Sequence, residues 1–176
     1  EPTTDEPTTD TTDTTDEPTT DTTDTTDDTS DTDPTDTTDT GGVDQDPPQN
    51  GAELLPWLEG GAYKGWKAES APHPSTGPHF GTVRTYINDV LFESLESMNQ
   101  EHPMGAAAIK ELYGDGDTVL GWSVEVKFQA NSDGGNGWYW YENYNGNVFA
   151  DGDGVALCYG CHAAGNDYFR SPYPLQ

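Results

Sequence analysis

Five consecutive residues, Cys158-Tyr159-Gly160-Cys161-His162, combine two thiols and an imidazole in the pattern C-x-x-C-H. Two thiols three positions apart can each form a thioether to a haem vinyl group, and the adjacent imidazole then ligates the iron. Two other chemistries use a C-x-x-C. A zinc site needs further ligands at recognisable spacing, and this chain has 2 Cys, both inside the motif. A redox dithiol opens a helix after a strand in a βαβ unit, a pattern the sequence lacks. The motif therefore reads as the attachment site of one covalent c-type haem, held through Cys158 and Cys161 with His162 on the metal.

Only 14 residues follow His162, so a sixth ligand is expected upstream. The candidates are Met98, Met104, His73, His79, His102 and Lys110. Each has an ordinary use in a core or on a surface. An open iron position is the expectation; open positions bind small ligands, whereas closed ones pass electrons.

The elements that must position this motif follow from periodicity. ELLPWLEGGAYKGW (53–66) suits a short helix ended at Gly60-Gly61. APHPSTGPHF (71–80) is a Pro-rich loop. TVRTYIN (82–88) alternates like a strand, and DVLFESLESM (89–98) has helical spacing. AAAIKELY (106–113) and TVLGWSVEVKF (118–128) read as strands joined by the turn GDGD. In the second, Trp122, Val124, Val126 and Phe128 share one face, and Ser123, Glu125 and Lys127 share the other. GWYWYENY (137–144) is an aromatic strand expected to pack the sheet and the haem, and DGDG (151–154) reads as a turn, with calcium binding as the rival. The expected fold is α+β: mostly antiparallel β-sheet with one or two short helices, preceded by a disordered N-terminal tail.

That tail is compositionally extreme. Residues 1–40 contain 20 Thr, 15 acidic residues, 4 Pro and one Ser, arranged in degenerate TTD, EPTTD and DTTD units. No unit has an apolar face, so a solenoid is excluded and the entropy of ordering has no offset. The segment reads as an acidic stalk over 1–50, ending in a Gly/Pro/Asn linker. Residues 51–176 then form one domain, enough for a single core.

Several stretches of that domain resemble one family. VRTYIND (83–89) is similar to an early strand of the type IRTVYVD, AAAIKELY to a VKEL strand, and GWSVEVK (121–127) to the strand after it. CYGCHAAGNDYFRSPY (158–173) resembles a CxxCH…DYVF terminus, the most specific match. Together they resemble the β-sheet family of cytochrome P-460 and cytochrome c-prime-beta across roughly residues 53–173. The helical cytochrome c-prime bundle, which also keeps its motif near the C-terminus, is disfavoured by the turn-rich strand pattern.

The resemblance implies particular roles. In cytochrome P-460 proteins the lysine of the VKEL strand is linked to the haem rim, and the matching residue is Lys110; the c-prime-beta branch lacks the link. Hydroxylamine-oxidising members place a carboxylate in the distal pocket, suited to taking a proton. A gapless match puts Ser123 there, and Glu125, two residues on and on the same face, could substitute through a slipped register. Phe80 matches a distal aromatic with His79 beside it, and Arg84 could hydrogen-bond a propionate or a distal ligand. The implied chemistry is binding, or oxidation, of small nitrogen compounds such as hydroxylamine and nitric oxide. Electron transfer with a sixth ligand, His79 or Met104, is the alternative.

The net charge of −27 leaves no basic patch for nucleic acid or an anionic membrane. No apolar run approaches the roughly 20 residues of a spanning helix. The expected partners are a small-molecule ligand and a redox-partner cytochrome, with a homodimer compatible. The chain begins at Glu1 without Met or a signal peptide, which reads as a trimmed or mature product. Attachment of haem c places the domain in the periplasm or on the outer surface, with lipid anchoring through a segment outside this sequence an option. Removing residues 1–50 is expected to leave the melting temperature nearly unchanged, which thermal unfolding of the shortened chain checks.

Overall fold

A computed structural model describes residues 46–114 and 116–176; the expected stalk lies outside the described residues as far as residue 45. Among the described residues the elements are α1 (Gly51–Glu59), β1 (Lys67–Ala68), β2 (His73–Pro74), β3 (Thr82–Ile87) and α2 (Asp89–Glu96). They continue with β4 (Ala107–Tyr113), β5 (Val119–Lys127), β6 (Trp138–Tyr144), β7 (Asn147–Asp153) and α3 (Ala156–His162). The strands form one antiparallel sheet in the order β1-β3-β4-β5-β6-β7, with β2 also paired to β3. The fold is α+β and mostly sheet, as the periodicity predicts.

Local chemistry explains the boundaries. Asn50 accepts from Glu53 N at 3.0 Å and so caps α1, while Pro47 is buried. The domain therefore begins before residue 51. A deletion through residue 50 removes a cap worth about 1 kcal/mol, whereas one ending at 45 does not. α1 stops at Gly60, and Gly61 takes a φ of 71° that an L side chain resists. The expected 151–154 turn is displaced. Asp151–Asp153 pair with Tyr139–Tyr141, and the chain turns only at Gly154. Asp151 is occupied as an acceptor for Tyr139 Oη (2.7 Å) and Gly51 N (3.1 Å). Of the GDGD turn, Asp115 lies outside the described residues.

The pleat sends alternate side chains to two different cores. One face packs Ile109, Val124, Val126, Tyr139 and Tyr141 against Leu54 and Leu58 of α1. Each of those leucines is essentially fully buried and contributes about 1.5–3 kcal/mol. The other packs Ala108, Trp138 and Trp140 against Leu91 of α2, Cys158 and Tyr159 of α3, and Phe169. Ser123, Glu125 and Lys127 point to this second face, as their alternation requires. It is not a solvated face: Lys127 is 0 % exposed and Glu125 6 %. The segment after α3 lies over it, with Asp167 bonded to Lys127 Nζ at 2.6 Å.

Asn88 joins helix to sheet. Its Oδ1 accepts from Leu91 N, capping α2, and from Ala107 N at the start of β4, both at 3.0 Å. Its Nδ2 donates to Gly105 O at 2.7 Å. Asn88→Ala loses the cap and strands a buried donor, so about 2–4 kcal/mol of stability should disappear. Denaturant unfolding should show a lower midpoint with an unchanged slope.

Candidate functional site

Helix α3 carries the motif, and the i, i+3, i+4 spacing puts Cys158, Cys161 and His162 on one side of it. The helix is short and has no side-chain cap, so neighbours must place it. Tyr159 lies against Gly135, where a Cβ would come within 2.6 Å of the Tyr159 ring; only glycine allows that approach. The Trp140 ring meets the His162 ring edge-on at 4.8 Å.

Beyond the helix, Asp167 and Tyr168 adopt φ values of 45° and 72°. Two consecutive non-glycine residues in the left-handed region carry strain of about 1–3 kcal/mol each. Asp167 offsets this with bonds from Lys127 Nζ, His102 N (2.7 Å) and Ser132 Oγ. The product of the strained turn is a placed carbonyl. Tyr168 O lies 2.8 Å from His162 Nδ1 and accepts its proton, while Nε2 has no protein partner among the described residues. A metal-ligating imidazole is oriented by this kind of bond through its other nitrogen.

A cavity of about 350 Å³ opens beside α3, within the roughly 300–1,000 Å³ typical of cofactor-sized sites. Cys158, Cys161 and His162 line one wall. Opposite runs a single cross-strand row, Thr85–Lys110–Ser123–Glu142, whose members face one another directly in register and all line the cavity. The rim is apolar. Phe80 stacks on Tyr144 at 4.5 Å and meets Phe149 at 5.6 Å, yet Phe80, Phe149 and Leu157 remain 40 %, 45 % and 67 % exposed. Exposed aromatic and aliphatic surface clustered on a cavity mouth is what a flat apolar group would cover.

The charges around the cavity are unevenly partnered. Burial pushes the Lys110 ammonium below its usual pKa, against the opposing pull of Glu125, Glu69 and Glu142. Burial also pushes the Cys158 thiol up to about 12, with the Glu142 and Glu125 carboxylates adding to the effect. Burial, the largest single influence, would lower His162, but the Glu125 carboxylate and Tyr168 O together outweigh it, and the net shift is upward. His79 Nδ1 lies 3.0 Å from Glu142 Oε2, and His73 Nε2 lies 3.1 Å from Glu69 Oε2.

Most of the expected site residues converge here. Cys158, Cys161, His162, Lys110, Ser123, His79 and Phe80 all line the cavity. Glu125 sits one row along β5, in a second small cavity shared with Lys110, Ser123 and His162. Arg84 does not converge. It alternates to the opposite face, where Nε donates to Glu69 O at 2.8 Å and the guanidinium covers the Tyr86 ring. Met98 and Met104 are 81 % and 58 % exposed and line neither cavity. His102 has both ring nitrogens engaged, with Ser94 Oγ and Asn166 O. Residues the sequence reading passed over include Glu142, legible from its place two residues after Trp140 on β6. Arg170 was also missed; it bonds Cys161 O at 2.7 Å, and no local pattern signals it.

The geometry tests the rival chemistries. Among the described residues no cluster of three or more His, Cys, Asp or Glu could hold a metal ion by itself, so these residues offer no zinc ligand set. A thiol pushed up to about 12 is a poor redox nucleophile at neutral pH. The residues do fit a covalent haem: two free thiols and an imidazole with its Nδ1 anchored line one apolar-rimmed cavity. Alkylation of the haem-free chain near pH 7 should modify exposed Cys161 faster than the half-buried Cys158, read by peptide mass mapping. The chain matches no known protein-family model and no curated protein sequence.

Proposed function

We propose that this chain is a c-type mono-haem protein of the cytochrome P-460 and c-prime-beta kind, whose iron takes small nitrogen compounds such as hydroxylamine or nitric oxide. The observation that carries the reading is the convergence of both thiols and the imidazole of C-x-x-C-H on one cavity, facing Lys110 and Ser123. Cys158 and Cys161 would hold the group by thioethers and His162 Nε2 would ligate it. Bound there, it supplies a redox-active iron able to bind a ligand on its free side. The same reading puts the protein outside the cytoplasm, with a redox-partner cytochrome as electron acceptor.

The chain's own residues set what such a ligand meets. Phe80, Phe149 and Val83 would restrict its size and exclude water. Ser123 can donate or accept a hydrogen bond but is a poor base at neutral pH. This favours binding over rapid oxidation. Lys110, directly opposite Ser123 in register, is the residue the resemblance links to the haem rim. Its amine makes no hydrogen bond or ion pair among the described residues, which leaves it available for that link.

A second reading, electron transfer, is favoured by one distance. The His79 and His162 rings lie 6.1 Å apart at 76°, near the separation of two imidazoles sharing one metal with bonds of about 2 Å. Denaturing mass spectrometry of the exported protein should find one haem added, and its absence from mature protein ends both readings. Hydroxylamine or nitric oxide should then perturb the visible spectrum of the native protein at once. Perturbation only after His79→Ala would establish the electron-transfer form instead. If Lys110 is linked, the ferrous band lies far to the red and Lys110→Ala restores an ordinary c-type spectrum. Ser123→Glu should raise hydroxylamine turnover by about 10²–10⁴-fold, the usual contribution of a positioned base.

A further inference from the structure

The buried face of β5 holds one group with no assigned task. The Glu125 side chain is 8 % exposed, and its Oε2 makes no hydrogen bond. Its register neighbours are Ala108 and Trp140, which offer no cation. Leaving a carboxylate oxygen orphaned in such a place is costly unless a donor can turn to it. One donor is within reach. His162 Nδ1 lies 2.9 Å from Oε2, while its single proton is aimed at Tyr168 O, 2.8 Å away.

Two acceptors therefore compete for one N–H, a neutral carbonyl and an anionic carboxylate. The anionic bond is the stronger of the two, and low-dielectric surroundings strengthen it further. The carboxylate–histidine–metal arrangement is a general means of making an imidazole a better electron donor to its metal.

We infer that Glu125 is a positioning residue for His162, sharing the Nδ1 proton with the Tyr168 carbonyl, and not the distal base that a slipped register would make it. The inference rests on the haem reading of the site. A more basic imidazole stabilises the oxidised iron, so the carboxylate holds the midpoint potential down. Ligands that prefer oxidised iron are favoured on the free side as a result.

The test uses haem-loaded protein, with loading first established by mass spectrometry. A chain that carries no haem defeats the underlying reading, separately from this one. Glu125→Gln keeps the shape and removes the charge. It should raise the midpoint potential by the equivalent of at least tenfold in the ferric/ferrous equilibrium, about 59 mV for one electron. Glu125→Asp, which keeps the carboxylate, should stay nearer the native value, a rescue that a purely structural role would not produce. A fully loaded Glu125→Gln protein with an unchanged potential overturns the inference. So does a changed hydroxylamine affinity without a change in potential, which would place Glu125 on the ligand side.

Discussion

The Lys127–Asp167 ion pair is the interaction on which the site depends. Nζ and Oδ2 lie 2.6 Å apart, with the side chains 0 % and 6 % exposed. Breaking such a buried pair typically costs about 3–5 kcal/mol, because the remaining charge is left uncompensated. Here the pair also has a geometric consequence. It fixes a strained turn whose next carbonyl orients the motif histidine, so the strain at Asp167 and Tyr168 is stored where it places a functional atom. Ser132 extends the same anchor to the sheet through Trp138 Nε1 at 3.0 Å.

The two faces of the sheet divide the work. On the face away from the cavity, fully buried Glu111 accepts from Tyr63, Tyr86, Tyr113 and Lys64. Burial alone would push its carboxyl up, but bonds from Lys64, Tyr113 and Tyr63 bring it below its usual value. That saturated network stiffens the strands from behind. The cavity face is the opposite case, with an amine and a carboxylate oxygen left without hydrogen bonds beside an imidazole. Unsatisfied groups of opposite charge gathered beside a cavity mark it as the place for a ligand.

Register converts sequence distance into chemistry. Thr85, Lys110, Ser123 and Glu142 are far apart in the chain but lie in one row across four strands. A shift of one residue in any pairing would turn that strand's contribution to the α1 face. The same parity removes Arg84, whose neighbours Val83 and Thr85 line the cavity while it cannot. Parity is also why Glu125 accompanies Ser123 on β5.

The amino-acid sequence by itself determined α1, β3, α2, β4, β5 and β6, because the alternation in VRTYIN and GWSVEVK and the helical spacing in DVLFESLESM are local properties. It also holds the motif, whose five residues are contiguous, so that its two thiols and imidazole are recognisable from spacing alone. β7 was not legible, because Asp and Gly in DGDG favour turns locally and only pairing with β6 holds them extended. Nor was the role of the polar β5 face. Alternation marks Glu125 and Lys127 as the side away from Val124 and Val126, but it does not say what covers them. That was decided by Asp167 crossing to Lys127 and bringing α3 onto the sheet. Burial of a charge depends on a partner 40 residues away, and no local pattern encodes such a partner.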